Sequence, residues 1–307
     1  MGFTTRELQD KILKLKKEKD AVILAHSYQS PEILEIADKT GDSFQLSLAA
    51  KDIPQQTVIL CGVHFMAETV KILSPEKQVL LAHPGAGCAM ARQVGPEYVT
   101  DFKKSHPGYA AVCYINTTAA LKTVCDVCVT SSSAAQIVQK MEQKDILFLP
   151  DCNLGAFVAA AVPDKNITLF DGGCPIHASV TKEEAEAAKA AHPEAKLLVH
   201  PECLPEVSAM ADYLGSTAGI MQYARQSEAS SFIIGTEMSI AAALSYEMPE
   251  KHFYLLSPKL ICPDMRLTNL LDVCRALEGT GGERIELDAD TIRQARRCID
   301  EMIRLGA

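Results

Sequence analysis

A chain of 307 residues with 48% hydrophobic content is long enough to bury several cores, which excludes a disordered or fibrous protein. Its 30 Lys and Arg are scattered among 39 Asp and Glu, leaving a net charge of −9 and no basic face for a nucleic acid. The most apolar run, Leu154 to Val162, is far too short to cross a bilayer, and the N-terminal MGFTTRELQDKILKLKKEKD has no apolar signal stretch, so the cytoplasm is the expected compartment.

The chain opens with Leu8, Ile12 and Leu15 at helical spacing, which predicts an amphipathic helix. Three similar units follow it, beginning AVILAHSYQSPEILEIADKTGDS, AAVCYINTTAALKTVCDVCVTSS and LLVHPECLPEVSAMADYLGST. Each starts with an apolar strand-like run that ends on His26, Tyr114 or His200. Twelve positions later stand Asp38, Asp126 and Asp212, and seventeen positions later Ser43, Ser131 and Thr217. The second half of each unit reads strand, helix, Pro-containing turn, strand and loop, and closes on a cysteine. From His26 to Cys88, Tyr114 to Cys174 and His200 to Cys262 the spacings are 62, 60 and 62 residues. A last amphipathic helix carries Ile292, Ala295, Ile299 and Met302.

Short aliphatic runs alternating with helical stretches predict βαβ units. The expected fold is α/β, with three pseudo-threefold-related repeats, each a small mainly parallel sheet with flanking helices. The repeats are expected at 1–90 with the N-terminal helix, 91–176, and 177–307 with the C-terminal helix. Ligands in such sheets bind outside the carboxyl ends of the strands, so the active site is expected at the central junction where equivalent loops meet. The two terminal helices are expected to cover the outside.

Eleven cysteines at wide spacings, an odd number, make a poor disulfide framework. Repeat equivalence singles out Cys88, Cys174 and Cys262 as a converging set. Three soft thiolates suit zinc or an iron-sulfur cluster and leave a fourth position open for substrate. Cys125 and Cys128 form the sole CxxC pair. With no second pair to complete a four-thiolate site, they are assigned to packing within a helical stretch. Cys61, Cys113, Cys152, Cys203, Cys274 and Cys298 receive the same assignment. Asp38, Asp126 and Asp212 are expected to satisfy backbone donors near a turn. His177, three residues after Cys174, is expected beside the metal group, and Glu237 suits a site-lining or a structural role equally well.

In order and spacing, AHSYQSPEI, ADKTGDS, FMAETVKILSP, YINTTA, PDCNLG, GCPIH, HPECLPEV, GST and GTE resemble motifs of the quinolinate synthase (quinolinate synthetase A) family, from about Val22 to about Leu277. The resemblance implies a [4Fe-4S] cluster on Cys88, Cys174 and Cys262, with one open iron as a Lewis acid. It implies condensation of iminoaspartate with dihydroxyacetone phosphate to quinolinate, phosphate and water in NAD biosynthesis, a carbon-carbon condensing transferase. An L-aspartate oxidase or dehydrogenase would supply the iminoaspartate, and neither nucleic acid nor membrane is a partner. His26, Tyr28, Tyr114, His200 and Glu202 are the groups able to move protons. His26, Ser43, Tyr114, Asn116, Ser131, His200, Glu202, Ser216 and Thr217 are expected to contact substrate. Two other readings of the same three thiolates are a non-catalytic iron-sulfur redox sensor and a zinc hydrolase.

Overall fold

The structure, a computed structural model, describes residues 4–306. Its elements recur in three sets of eight. The first set is α1 (Thr5–Glu18), β1 (Ala21–His26), α2 (Pro31–Leu34), β2 (Lys39–Gly41), α3 (Ser43–Asp52), β3 (Thr57–Cys61), α4 (His64–Leu73) and β4 (Gln78–Leu81). The second is α5 (Pro96–Ser105), β5 (Ala110–Tyr114), α6 (Ala119–Lys122), β6 (Val127–Val129), α7 (Ala134–Lys140), β7 (Asp145–Leu149), α8 (Cys152–Ala161) and β8 (Asn166–Leu169). The third is α9 (Lys182–Ala191), β9 (Lys196–Val199), α10 (Pro205–Ser208), β10 (Tyr213–Leu214), α11 (Thr217–Gln226), β11 (Ser231–Gly235), α12 (Ser239–Glu247) and β12 (His252–Leu255). The chain ends with α13 (Leu270–Glu278), β13 (Glu283–Arg284) and α14 (Ala289–Gly306).

Each set makes its own sheet, and in each the strands lie in the order second, first, third, fourth, all parallel. The expected repeated α/β fold is therefore present. The first sheet gains a fifth strand, β13, antiparallel to β4. Central strands buried on both faces need continuous apolar sequence, which explains why AVILAH, AAVCY and SFIIG show no alternation.

Contacts divide the chain into two compact units. One holds the chain through Cys88 together with Pro263–Arg296, and the other holds Ala89–Cys262 and the chain from Arg297 onward. In the first unit Ile12 of α1, Ile23 of β1, Ile59 of β3 and Val273 of α13 share one core. In the second, Leu197, Val199, Ile233 and Leu260 build the core of the third sheet. Each such fully buried aliphatic side chain stabilises by about 1.5–3 kcal/mol.

Two devices recur three times and fix the repeat. The carboxylates of Asp38, Asp126 and Asp212 accept the backbone N–H groups of Ile23, Ala111 and Leu197 at 2.8, 2.7 and 2.8 Å. The Asp backbone N–H groups in turn donate to the carbonyls of those same residues. This ties the start of each second strand to the first, as the turn-satisfying assignment expected. Likewise Lys77, Lys165 and Lys251 each donate to two carbonyls at or just past the C-terminal end of α3, α7 and α11: Ile53 and Gln55, Met141 and Gln143, Ala224 and Ser227. A long ammonium stem thus satisfies carbonyls that helix geometry leaves without partners.

One local expectation is corrected. Cys125 and Cys128 do not lie in a helix, because α6 ends at Lys122 and Cys128 is the middle residue of β6. Val127 and Val129 flank it, and β-branched residues favour an extended, buried strand over a helical turn.

Candidate functional site

The three residues singled out at the ends of the first strands fall where repeat geometry places them. His26 closes β1, Tyr114 closes β5 and His200 follows β9, and all three are buried. The two histidines share a detail. Nδ1 of His26 accepts the N–H of Tyr28 at 3.1 Å, and Nδ1 of His200 accepts the N–H of Glu202 at 3.3 Å. A ring nitrogen that accepts carries no proton, so each imidazole is neutral with its proton on Nε2. Burial acts in the same direction and depresses both to about 4; for His200 the charge of Glu202 opposes burial and His177 adds to it. The Tyr28 ring meets His26 edge-on, with centroids 4.4 Å apart.

Within the second unit a buried chain of contacts runs from Tyr114 to Cys174. Tyr114 Oη donates to Glu202 Oε1 at 2.7 Å. Glu202 Oε2 lies 2.9 Å from His177 Nδ1, which is also 3.3 Å from Cys174 Sγ. The far nitrogen of His177 meets the Thr236 hydroxyl at 3.1 Å, and the His177 and His200 rings stack at 4.8 Å. Burial alone would raise the Glu202 carboxyl. The neighbouring His200 and His177, with hydrogen bonds from His177 and Tyr114, outweigh it and hold the group down to about 2. The hydrogen bonds from Tyr114 and His177 favour its anionic form.

Asp151, not assigned a role from sequence, anchors the loop that carries Cys174. Its Oδ1 accepts from the N–H groups of Asn153 and Leu154 at the start of α8, and its Oδ2 accepts the Cys174 N–H at 2.7 Å. Burial and then the charge of Glu202 push its carboxyl up to about 7, against the pull of those three N–H groups. The close approach requires glycine before the cysteine, since a Cβ on Gly173 would sit 2.4 Å from Asp151 Oδ2. The signal in the sequence was the repeat equivalence of Asp151 with Glu237. Glu237 is likewise fully buried and accepts the Ser239 N–H at 2.8 Å, beside Thr236 and hence next to His177.

The hydroxyl positions differ in detail. Ser43 is not a helix cap: Asp42 caps α3, accepting the N–H groups of Phe44 and Gln45, and Ser43 is the first helical residue. Thr217 stands equivalently as the first residue of α11, capped by Ser216, whose Oγ accepts the Gly219 N–H at 3.1 Å. Ser131 lies in the turn before α7, and Asn116 in the turn after β5. Ser43, Ser131 and Asn116 are half-buried, whereas Ser216 and Thr217 are buried. Cys88, Cys174 and Cys262 follow the ends of the fourth strands, at 81 to 88, 169 to 174 and 255 to 262. All three are half-buried.

Cys174 Sγ, a ring nitrogen of His177 and a carboxylate oxygen of Glu202 all lie within 4.8 Å of one another, close enough to surround a metal ion. Among the described residues no helix is long and apolar enough to cross a membrane. A parallel α/β repeat with acid–base groups buried at its strand ends, and a cysteine, histidine and glutamate beside them close enough to hold a metal ion, has the make-up of an α/β enzyme.

Residues 10–304 match the family described as Quinolinate synthetase A protein. A quinolinate synthase of Caldicellulosiruptor bescii is 46% identical over 299 residues, covering 97% of this chain and 98% of the relative. Those of Clostridioides difficile (47% over 283 residues, 92% and 93%) and Methanoregula boonei (44% over 301 residues, 98% and 99%) are similarly related. The chain belongs to the quinolinate synthetase A family.

Proposed function

We propose that this chain condenses iminoaspartate with dihydroxyacetone phosphate to give quinolinate, phosphate and water, as a carbon-carbon condensing transferase of NAD biosynthesis. The observation that carries this reading is near-full-length identity of about 46% to proteins named quinolinate synthase. We place it in the cytoplasm, where its eleven unbridged thiols suit a reducing environment. An L-aspartate oxidase or dehydrogenase would supply the unstable imine.

The donor set fits a three-thiolate [4Fe-4S] cluster. Of the eleven cysteines only Cys88, Cys152, Cys174 and Cys262 are not buried. Cys152 is the odd one out, because burial and the adjacent Asp151 charge raise its thiol, which disfavours the thiolate a metal needs. That leaves the set named by repeat equivalence. When bound, such a cluster would supply a Lewis-acidic iron for carboxylate or hydroxyl groups of the substrate.

The protein's own residues divide the remaining work. Both substrates are anionic, and Ser43 and Thr217, first residues of ten-residue helices, would offer their hydroxyls to phosphate or carboxylate. Asn116, Ser131 and Ser216 would add donors. His26 and His200, neutral with Nε2–H, would donate to a carbonyl or leaving oxygen. A carboxylate held near 2 is a weak base, so Glu202 is assigned the task of orienting Tyr114 Oη, through which a proton can move. Tyr28, beside His26, completes the acid–base set.

The test is anaerobic purification, reconstitution with iron and sulfide, and a chromatographic assay for quinolinate from the two substrates. The expected result is about four irons per chain and product formation. A folded protein that holds only zinc and forms no quinolinate after reconstitution would overturn the reading in favour of a hydrolase. Retained iron with no product would point to a redox sensor.

A further inference from the structure

A cluster on Cys88, Cys174 and Cys262 would use the Cys174 thiolate but neither the His177 imidazole nor the Glu202 carboxylate beside it. Cys174, His177 and Glu202 all belong to the second unit. The Cys174 carbonyl accepts the Ala178 N–H at 3.0 Å, closing a turn that brings Cys174 and His177, three positions apart, to one side. Glu202 arrives from just beyond β9. The ligand atoms of the three residues lie within 4.8 Å of one another.

We propose that, in the cluster-free protein, Cys174 Sγ, His177 Nδ1 and Glu202 Oε2 bind a single divalent cation of the zinc type, with water in the fourth position.

The spacing is close to what such an ion requires. Zn–S of about 2.3 Å, with Zn–N and Zn–O of about 2.0–2.2 Å, puts tetrahedral ligand atoms roughly 3.3–3.6 Å apart. His177 Nδ1 stands 2.9 Å from Glu202 Oε2 and 3.3 Å from Cys174 Sγ, so shifts of a few tenths of an ångström admit the metal along both edges. The Nδ1 atom faces a carboxylate and a sulfur with one proton to give. A cation in the place of that proton meets all three groups. Sulfur, imidazole and carboxylate together favour zinc-like ions over Mg2+ or Ca2+.

Charge argues the same way. One thiolate, one carboxylate and one neutral imidazole balance a divalent ion, so the occupied site is neutral where His177 and Glu202 are only 5% and 4% exposed. Contacts around the ligands already orient them. Thr236 Oγ1, 3.1 Å from His177 Nε2, can accept the proton that this nitrogen carries once Nδ1 binds metal. Tyr114 Oη holds the other Glu202 oxygen at 2.7 Å and leaves Oε2 as the ligand. The Cys174 N–H is fixed on Asp151 Oδ2 at 2.7 Å. Cys174 is half-buried, so an ion and its water ligand enter from the sulfur side. Zinc held here competes with a cluster for the Cys174 thiolate, a consequence that alone rests on the [4Fe-4S] reading.

The test uses full-length protein purified anaerobically and stripped of metal, titrated with Zn2+ against a chromophoric chelator and with Co2+ for spectra. One equivalent is expected for the parent and also for the Cys88→Ser, Cys262→Ser double variant. Both should show sulfur-to-cobalt charge transfer with the intensity of one thiolate, and adding Cys174→Ser should abolish the band. Affinity is expected to fall roughly tenfold or more in His177→Gln and in Glu202→Gln, each checked for folding by circular dichroism. Loss of zinc from the folded double variant would move the ion to the three thiolates and overturn the site. So would parent affinity in either folded ligand variant. For the competition, protein preloaded with one zinc is expected to take up several-fold less iron on reconstitution, and equal uptake overturns it. A parent that binds zinc as described but never assembles a cluster overturns the cofactor reading and supports the zinc site.

Discussion

Tyr114 at the end of β5 donates its hydroxyl to Glu202, just beyond β9, so a single 2.7 Å hydrogen bond joins the first-strand tips of the second and third repeats. The acceptor is a buried carboxylate, and hydrogen bonds to charged groups are worth about 1.5–3 kcal/mol. Tyr114→Phe is therefore expected to lower unfolding stability by about that amount, with turnover falling roughly 100-fold or more if the hydroxyl relays a proton. Iron content after reconstitution should stay at the parent level. A variant with full turnover would remove Tyr114 from the proton path while leaving it a structural role.

Removing a repeated tie should affect stability and not chemistry. Asp212→Ala leaves the Leu197 N–H without its side-chain acceptor, and the expected loss is about 1–3 kcal/mol in denaturant unfolding. KM for dihydroxyacetone phosphate should not change. A large KM effect with unaltered stability would contradict the scaffold role of all three aspartates.

The neutral His26 gives a pH dependence of defined sign. Its folded value of about 4 lies below the ordinary 6.5, so as pH falls the unfolded chain takes up the proton first. Stability attributable to this group is complete above pH 6.5 and declines by roughly 3 kcal/mol as pH approaches 4. His200 slopes the same way and Asp151, raised to about 7, the opposite way, so the comparison needed is between parent and His26→Gln. The stability gap between them should narrow on acidification from pH 6.5 to 4. A gap independent of pH would mean that His26 is not held neutral.

Cys88→Ser, Cys174→Ser and Cys262→Ser are each expected to abolish cluster assembly, read as iron and sulfide per chain and the broad visible absorption of the reconstituted protein. Equal cluster content in Cys174→Ser would refute the assignment of the three ligands.

Gly173→Ala tests the anchoring of the Cys174 loop. The added methyl would lie 2.4 Å from Asp151 Oδ2, forcing the carboxylate or the loop to move. Poorer iron retention is expected, with an unfolding loss of about 1–3 kcal/mol typical of overpacking. Asp151→Asn, which keeps the shape and one acceptor oxygen, should be milder. Iron retention unchanged in Gly173→Ala would show that the loop adapts without this contact.

Much of this was legible because repetition constrains placement more than local propensity does. The strand ends at His26, Tyr114 and His200, the ties at Asp38, Asp126 and Asp212, and the half-buried loops ending at Cys88, Cys174 and Cys262 follow from spacing alone. Local pattern failed where tertiary context decides. Cys125 and Cys128 read as helical until Val127 and Val129 are seen to pair with β5. The contacts of His177 with Glu202 and Thr236 were invisible, since they join residues 25 and 59 positions apart (177 to 202 and 236).

The three aspartate ties and three lysine ties also carry a historical consequence. Each copy keeps its own closures, so no repeat relies on another to hold its first two strands together. The residues two apart at the strand tips, His26 and Tyr28, Tyr114 and Asn116, His200 and Glu202, have meanwhile become different. That is the imprint expected of an ancestral unit copied twice within one gene, its framework retained threefold while each tip was freed to specialise.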